Sequence, residues 1–308
     1  MEPLRVALPL GIGDCHWAVQ KFRGLSKHHD GRPIHAFVNE SQHHKTWNYL
    51  RLAAPVAHAE MSRFAPYDIN REMDDYKAAR WSTLQGCAGW KGFDYLLVPN
   101  GHLERGLRIE EYLPEVETDY SYDLLFIDGE RTWMQHAGLE DRVLVYLSGV
   151  GPNREFHSHT WSQHHWVELL RDLSAIGHMP VIIGANTDDD LRYYAQVAQL
   201  LGPHCPHVNM VGKTTHAQVM CLIKHAKLWI GLNSGLGIVS ASQGTPTLMF
   251  WSDNRYAHVR RVHPEKALHH KMQRSWLSEE QLTTYRTISY GSPEASPAHA
   301  FYLIQELL

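Results

Sequence analysis

The sequence predicts an α/β protein made of two doubly wound domains, each an open parallel sheet with helices on both faces, set edge to edge across a cleft. Three observations carry this. Short apolar runs of strand length alternate with amphipathic segments of helix length along most of the chain. The alternation starts twice, at Leu4 and again at Val143. The turns after the predicted strands hold glycine and short polar residues, the place where open parallel sheets bind ligands. A length of 308 residues fits two domains.

In the first series, Leu4–Leu10 reads as a buried strand, and Gly11-Ile-Gly-Asp14 leads into a helix through Trp17, Val19, Phe22 and Leu25. The G-x-G turn lacks the third glycine of a dinucleotide fingerprint. Ile34–Val38 is a second strand, and Asn39 is placed to cap a helix through Trp47, Tyr49 and Leu52. Residues 53–93 show no clean period. Phe93–Val98 is a strand ending in Pro99-Asn-Gly-His102, Glu104–Tyr112 a helix, and Asp123–Ile127 a further strand.

The second series has strands at Val143–Leu147, Val181–Gly184, Val208–Val211, Leu228–Leu232 and Thr247–Trp251. Helices cover Ser162–Ile176 and Asp188–Leu201, and Thr215-His-Ala-Gln218 is a capping box for another through Ala226. Asp188-Asp-Asp190 is an acidic helix start that suits the dipole. The expected division is an amino-terminal domain over 1–138, a carboxyl-terminal domain over 139–296, and a helix over 297–308. That helix, with Phe301, Leu303, Ile304 and Leu307 on one side, follows the completed second series and is expected to pack back on the first domain.

Composition excludes several classes. With 44% hydrophobic and 20% charged residues and no apolar run near the ~18 residues of a membrane span, the chain reads as a soluble, cytoplasmic globular protein. No signal-peptide pattern precedes Leu4. Cys15, Cys87, Cys205 and Cys221 are widely spaced and read as free thiols. A formal charge of −4, with 23 histidines counted neutral, argues against broad nucleic-acid binding.

The stretch from Lys227 to Trp251 organises the rest: strand, glycine-rich turn, short helix, strand. A helix opening at Ser234 points free N–H groups and its positive end out of the sheet edge, the geometry that holds a phosphate. Glycines at 231, 235 and 237 either let a ligand approach or only relieve packing.

Taken together, Gly13-Asp14, the turn after Leu147 leading to Trp161 and Trp166, Val211-Gly-Lys-Thr-Thr215, and Asn-Ser-Gly-Leu-Gly…Gly-Thr-Pro246 resemble glycosyltransferase family 9, the heptosyltransferase-like enzymes of GT-B fold. The resemblance is strong over 140–252, fair over 1–25 and thin between them. It implies two Rossmann-like domains and an inverting transfer, in which an acceptor hydroxyl displaces a nucleoside diphosphate from a sugar. The cosubstrate is a nucleotide sugar, with no further cofactor and no metal. From position alone Asp14 reads first as a cap for a helix beginning at Cys15, and the resemblance reverses that, because Asp14 matches the family's catalytic aspartate. Ser234, Gly235, Leu236 and Gly237 match the diphosphate-binding turn, and Lys213, Thr214 and Thr215 the polar contacts to the nucleotide. Two positions depart from the family's Asp-Ser/Thr-Gly-x-x-His pattern: Asn233 replaces the acid, and Ile238 stands in place of the histidine.

Arg154, permanently charged and bidentate, is the preferred cation for the diphosphate, with His159 second; a solvated loop arginine is the alternative. His157, His159, His164 and His165 read as a polar loop in preference to a metal site. Asn100, Glu104 and Arg105, with Gly13, lie on the acceptor side. Arg255, Arg260, Arg261, His263 and Lys266, with Trp251 and Tyr256, read as a plain surface loop in preference to an acceptor-side or nucleic-acid face. The leading acceptor is a glycan or lipid-linked sugar hydroxyl of lipopolysaccharide type. The alternatives are a hydroxymethylated pyrimidine in DNA and a catalytically silent module that holds a nucleotide or glycan.

Overall fold

The computed structural model describes residues 1–8, 11–39, 44–62, 92–99, 102–103, 107–147, 161–203, 205–251, 274–289 and 295–308. The chain forms two compact units, Met1–Leu125 with Leu268–Ser278, and Phe126–Ala267 with Glu279–Leu308.

The first unit holds a four-stranded parallel sheet of order β3-β2-β1-β4, with β1 Leu4–Ala7, β2 Ile34–Asn39, β3 His58–Ser62 and β4 Tyr95–Leu96. Leu4, Val6, Ala7 and Leu8 of the first run are all buried, as a strand covered on both faces requires. From β1 the chain steps one way to β2 and β3, and β4 then returns to the other side of β1. The sheet therefore has a switch point between β1 and β4, at their carboxyl ends.

Several expectations are corrected here. The helix after β1 divides into α1 (Ile12–Val19) and α2 (Phe22–His28), because Gln20 and Lys21 turn the chain between them. Asn39 remains in β2 and does not cap α3 (His44–Leu50). In β3, an edge strand, Ala59 is the one buried side chain, which hides it from a search for apolar runs. Asp123–Ile127 makes no strand; Leu124 forms a single antiparallel bridge with Ala53, while Leu125 and Ile127 are exposed. Within the expected 104–112 helix, the described residues form one 3-10 turn, Ile109–Glu111.

The segment 274–278 completes this unit. Trp276 is fully buried, its carbonyl accepts from Gln20 Nε2 at 3.1 Å, and Ile109 N donates to the Ser275 carbonyl at 2.9 Å.

The second unit holds a six-stranded parallel sheet of order β10-β9-β8-β5-β6-β7. Its strands are β5 Val143–Tyr146, β6 Val181–Ile183, β7 Val208–Asn209, β8 Leu228–Leu232, β9 Thr247–Trp251 and β10 Tyr285–Ser289. The helices are α4 Asp128–His136, α5 Gln163–Ala175, α6 Asp188–Leu201, α7 His216–Lys224, α8 Gly235–Ser242, α9 Glu279–Thr283 and α10 Pro297–Leu307. Val143, Val145, Ile230, Leu232, Leu248 and Phe250 face α5, α6 and α10 in one core. Trp229 and Met249 point to the other face, where α8 lies and α7 packs between α8 and α4. The winding reverses between β5 and β8, so this sheet has its own switch point.

The expected break at 138/139 falls instead at 125/126, because α4 packs on α7 and belongs to the second unit. The carboxyl-terminal helix is also a correction. Ala300 and Ile304 are fully buried in the second unit's core, with Phe301, Leu303 and Leu307 packed against it. Trp161 Nε1 donates to the Ala295 carbonyl at 2.9 Å just before the helix. Its apolar stripe covers sheet surface beside α5 and β9, and the returning segment is 268–278.

Candidate active site

The described candidate residues lie just beyond the carboxyl ends of the strands, after β1 in the first unit and after β7 and β8 in the second. In the first unit, α1 opens at Ile12 with Gly11 as its N-cap, in an extended conformation and without a side-chain cap. Asp14 is therefore the third helical residue, and the expectation that it caps a helix beginning at Cys15 is corrected. Its place in the first turn puts the carboxylate against the positive end of the helix. The carboxylate folds back over Gly11: a Cβ at Gly11 would stand 2.6 Å from Asp14 Oδ2 and 3.2 Å from its Cγ. The missing side chain is what lets the acid lie there, half-buried at the mouth of β1. Gly13 is buried within the same turn. Burial, reinforced by the Asp14 charge, pushes the Cys15 thiol well above its ordinary range, so Cys15 stays a protonated core residue.

Beyond β4, His102 is buried, with Nε2 2.9 Å from the Arg108 carbonyl and its ring edge-on to Tyr112 at 5.7 Å. Tyr112 Oη in turn accepts from Val98 N at 3.0 Å. These contacts fix the turn after β4. Asn100, Glu104 and Arg105 lie outside the described residues.

In the second unit, β8 runs through Leu232 into Asn233, whose N–H donates to the Phe250 carbonyl at 2.8 Å and so remains tied to β9. Ser234 is the N-cap of α8, extended at φ −153°, and its Oγ accepts from Gly237 N at 3.4 Å. Gly235 and Leu236 form a half-buried first turn; Gly237 and Ile238 are buried beneath it. The packing reading is right for two of the three glycines. A Cβ at Gly237 would stand 2.6 Å from both Met249 Cε and Trp229 Cη2, and one at Gly231 2.8 Å from Trp229 Cη2. The fully buried Trp229 indole occupies the space that ligand approach was expected to use.

Val211–Thr215 follows the edge strand β7. Thr215 makes the expected capping box: Oγ1 accepts from Gln218 N at 3.2 Å, and Gln218 Oε1 accepts from Thr215 N at 2.9 Å. Thr214 is half-buried beside it. Lys213 is exposed and donates to the Asn209 carbonyl at 3.0 Å, so its ammonium is engaged by its own turn. Both α7 and α8 start at the carboxyl edge and pack side by side, which sets their axes about 8–10 Å apart. Helix α7 follows the edge strand β7, whereas α8 opens at the carboxyl end of β8, next to the switch point. Arg154 and His159 lie outside the described residues, as does the basic cluster from Arg255 to Lys266.

One reinforcing contact escaped the sequence reading. Asp190, nearly fully buried, accepts from Ala185 N at 2.7 Å at the end of β6. Burial and the Asp190 charge together raise the Tyr146 phenol above its ordinary range, so Tyr146 stays neutral at the end of β5. Asp190 belongs to the acidic helix start, and its i+3 place after the Thr187 cap turns it inward.

Two open parallel sheets in separate units, each with a polar turn at its switch point, define a fold of the GT-B class. The family profile described as glycosyltransferase family 9 (heptosyltransferase) matches residues 110–286. The chain belongs to glycosyltransferase family 9. Lipopolysaccharide heptosyltransferase 3 of Escherichia coli is 27% identical over 133 residues, covering 43% of this chain and 37% of that protein. The same-named protein of strain K12 is 26% identical over 51% of this chain and 46% of its own length. The matched stretches thus span less than half of these curated relatives. ADP-heptose lps heptosyltransferase II of E. coli superposes with a TM-score of 0.65 at 14% identity, covering 99% of this chain and 98% of that one. E. coli heptosyltransferase WaaC with ADP gives 0.57 at 12% identity over 98% of each chain. These likenesses establish the fold. Among the described residues, no helix is long and apolar enough to cross a membrane.

Proposed function

We propose that this protein is a nucleotide-sugar-dependent, inverting glycosyltransferase that places a sugar on a hydroxyl of a glycan acceptor of lipopolysaccharide type. The observation that carries the reading is the N-terminus of α8, capped by Ser234 at the carboxyl end of β8 beside the second sheet's switch point, in a chain of this family. Backbone N–H groups at Gly235 and Leu236 and the positive end of α8 favour a diphosphate. Asp14 is the general base: its carboxylate takes the acceptor O–H proton as that oxygen attacks the anomeric carbon. The bond from the anomeric carbon to the diphosphate oxygen breaks, its electron pair leaves with the diphosphate, and the helix end stabilises the charge that develops there. Attack opposite the leaving group inverts the anomeric centre. The structural neighbours are an ADP-heptose heptosyltransferase and a heptosyltransferase with ADP, which makes an adenine nucleotide the first donor to test.

A thermal-shift screen of ADP, UDP, GDP and CDP tests the reading. A nucleotide at one hundred times its dissociation constant stabilises the fold by about 2.7 kcal/mol. Stabilisation by one of the four, strongest for ADP, supports the proposal; no shift with any of them defeats it.

A further inference from the structure

Helix α1, which carries Asp14, is buried almost all round, and so are polar side chains on it and in the turn after it: His16, Gln20 and Lys21 are fully buried. Each is tied to a different segment of the first unit. Lys21 Nζ lies 2.9 Å from the Val116 carbonyl, with the Glu110 and Leu113 carbonyls at 3.4 and 3.5 Å. Gln20 holds Trp276. His16, two residues after Asp14, holds two tyrosines: Nδ1 is 2.8 Å from Tyr49 Oη on α3 and 2.6 Å from Tyr122 Oη, and the two hydroxyls bond to each other. All three rings are completely buried. Burial holds the His16 pKa down near 3, so the imidazole is neutral and Nδ1 can accept a hydrogen bond from a phenol O–H. Among the described residues, His16 Nε2 has no partner, which leaves Nδ1 as its one polar attachment.

This arrangement is costly for a purely structural purpose. An apolar trio of the same volume would fill the space without burying three polar groups. What the polar trio supplies is direction. Hydrogen bonds set the rotation of α1 about its axis, whereas apolar packing tolerates small rotations. Rotation matters here because Asp14 sits in the adjoining turn, and a misplacement of about 1 Å can cost a hundredfold in rate.

We propose that His16, Tyr49 and Tyr122 are positioning residues that fix the rotation of α1 and so aim the Asp14 carboxylate at the acceptor hydroxyl. The proposal rests on the general-base reading of Asp14. The experiment is a double-mutant cycle on the full chain between Tyr122→Phe and Asp14→Asn, with Tyr49→Phe as a second route should Tyr122→Phe fold poorly. Each Tyr→Phe change keeps the ring and removes one hydroxyl. Expected are a kcat at least tenfold lower in Tyr122→Phe, unchanged KM for the nucleotide sugar and unchanged nucleoside diphosphate affinity, and little further loss when Asp14→Asn is already present. His16→Asn, which keeps a hydrogen-bonding group near Nδ1, should retain more turnover than His16→Leu. Wild-type kcat in both Tyr→Phe variants overturns the proposal, as does an equal loss with and without Asp14. Wild-type turnover in Asp14→Asn alone defeats instead the general-base reading, so the two failures are distinguishable.

Discussion

Gly237→Ala is the sharpest test of how the second unit builds the turn proposed to hold the diphosphate. On an unencumbered helix, glycine to alanine stabilises by about 1 kcal/mol. Here the new methyl would stand 2.6 Å from Trp229 Cη2 and 2.6 Å from Met249 Cε, where ordinary contact begins at 3.4 Å. Met249 can swing its terminal methyl aside, but Trp229 is fully buried on a central strand and cannot retreat. Overpacking of this kind costs up to about 3 kcal/mol, so the net is destabilisation by roughly 2 kcal/mol after the helix gain. At about 2–4 °C per kcal/mol, Tm should fall by roughly 4–8 °C. Relief comes through a shift of the first turn of α8, which carries the N–H groups assigned to the diphosphate. Nucleoside diphosphate Kd should therefore rise about tenfold, equivalent to 1.4 kcal/mol. Thermal melting followed by circular dichroism, and calorimetric titration on the same preparation, measure both. A Tm that rises with Kd unchanged would show that the indole does not set the position of this turn.

Asp14→Asn keeps size and shape but cannot take a proton: turnover should fall a hundredfold or more with nucleoside diphosphate affinity unchanged, and near-normal turnover would remove Asp14 from the chemistry. Ile304→Ala empties a fully buried site in the second unit and should cost about 2–4 kcal/mol in a chemical melt, whereas a loss under 0.5 kcal/mol would contradict the placement of α10. Burial lowers the Lys21 pKa from 10.5 to about 8 in the fold, against the smaller opposing effects of Glu110 and Glu115. Between those values the unfolded chain holds a proton that the folded chain has lost, so this residue makes stability rise with pH across the window. Denaturant melts of the wild type should show that rise relative to Lys21→Met, and parallel pH profiles would refute it.

The second sheet was legible because its central strands are uninterrupted apolar runs bounded by capping signals. Leu228–Leu232 and Thr247–Trp251 emerge with their predicted ends, and Ser162, Thr215 and Ser234 all act as caps. The first sheet was harder. His58–Ser62 pairs as an edge strand with little apolar content, and β4 is two residues long, so neither leaves a clear period. The destination of the carboxyl-terminal helix was hidden for a different reason. An amphipathic stripe says that a helix packs, not on what, and the sheet face it covers becomes visible only once α5 and β9 are in place. The site divides the same way. Backbone-defined features such as the α8 cap could be read from residue order, while the cluster of His16, Tyr49 and Tyr122 joins positions far apart in sequence and needs the fold to assemble it.

The two departures from the family pattern take on a physical meaning at the α8 turn. Ile238 is buried, so the position where the resemblance expects histidine offers no polar atom to a ligand. Asn233 is half-buried and neutral, with its N–H committed to β9, so the position where it expects an acid carries no charge. What remains at the turn is the Ser234 cap and the backbone of Gly235 and Leu236. Backbone N–H groups recognise an anion whatever sugar it carries. On the proposed reading, the backbone that would hold a diphosphate is therefore kept, and the side chains through which the turn would orient a sugar by charge are the ones replaced. Diphosphate binding and charge-based sugar selection are then separable. A nucleotide screen tests the α8 turn, and recognition of a sugar by charge would come from side chains beyond it.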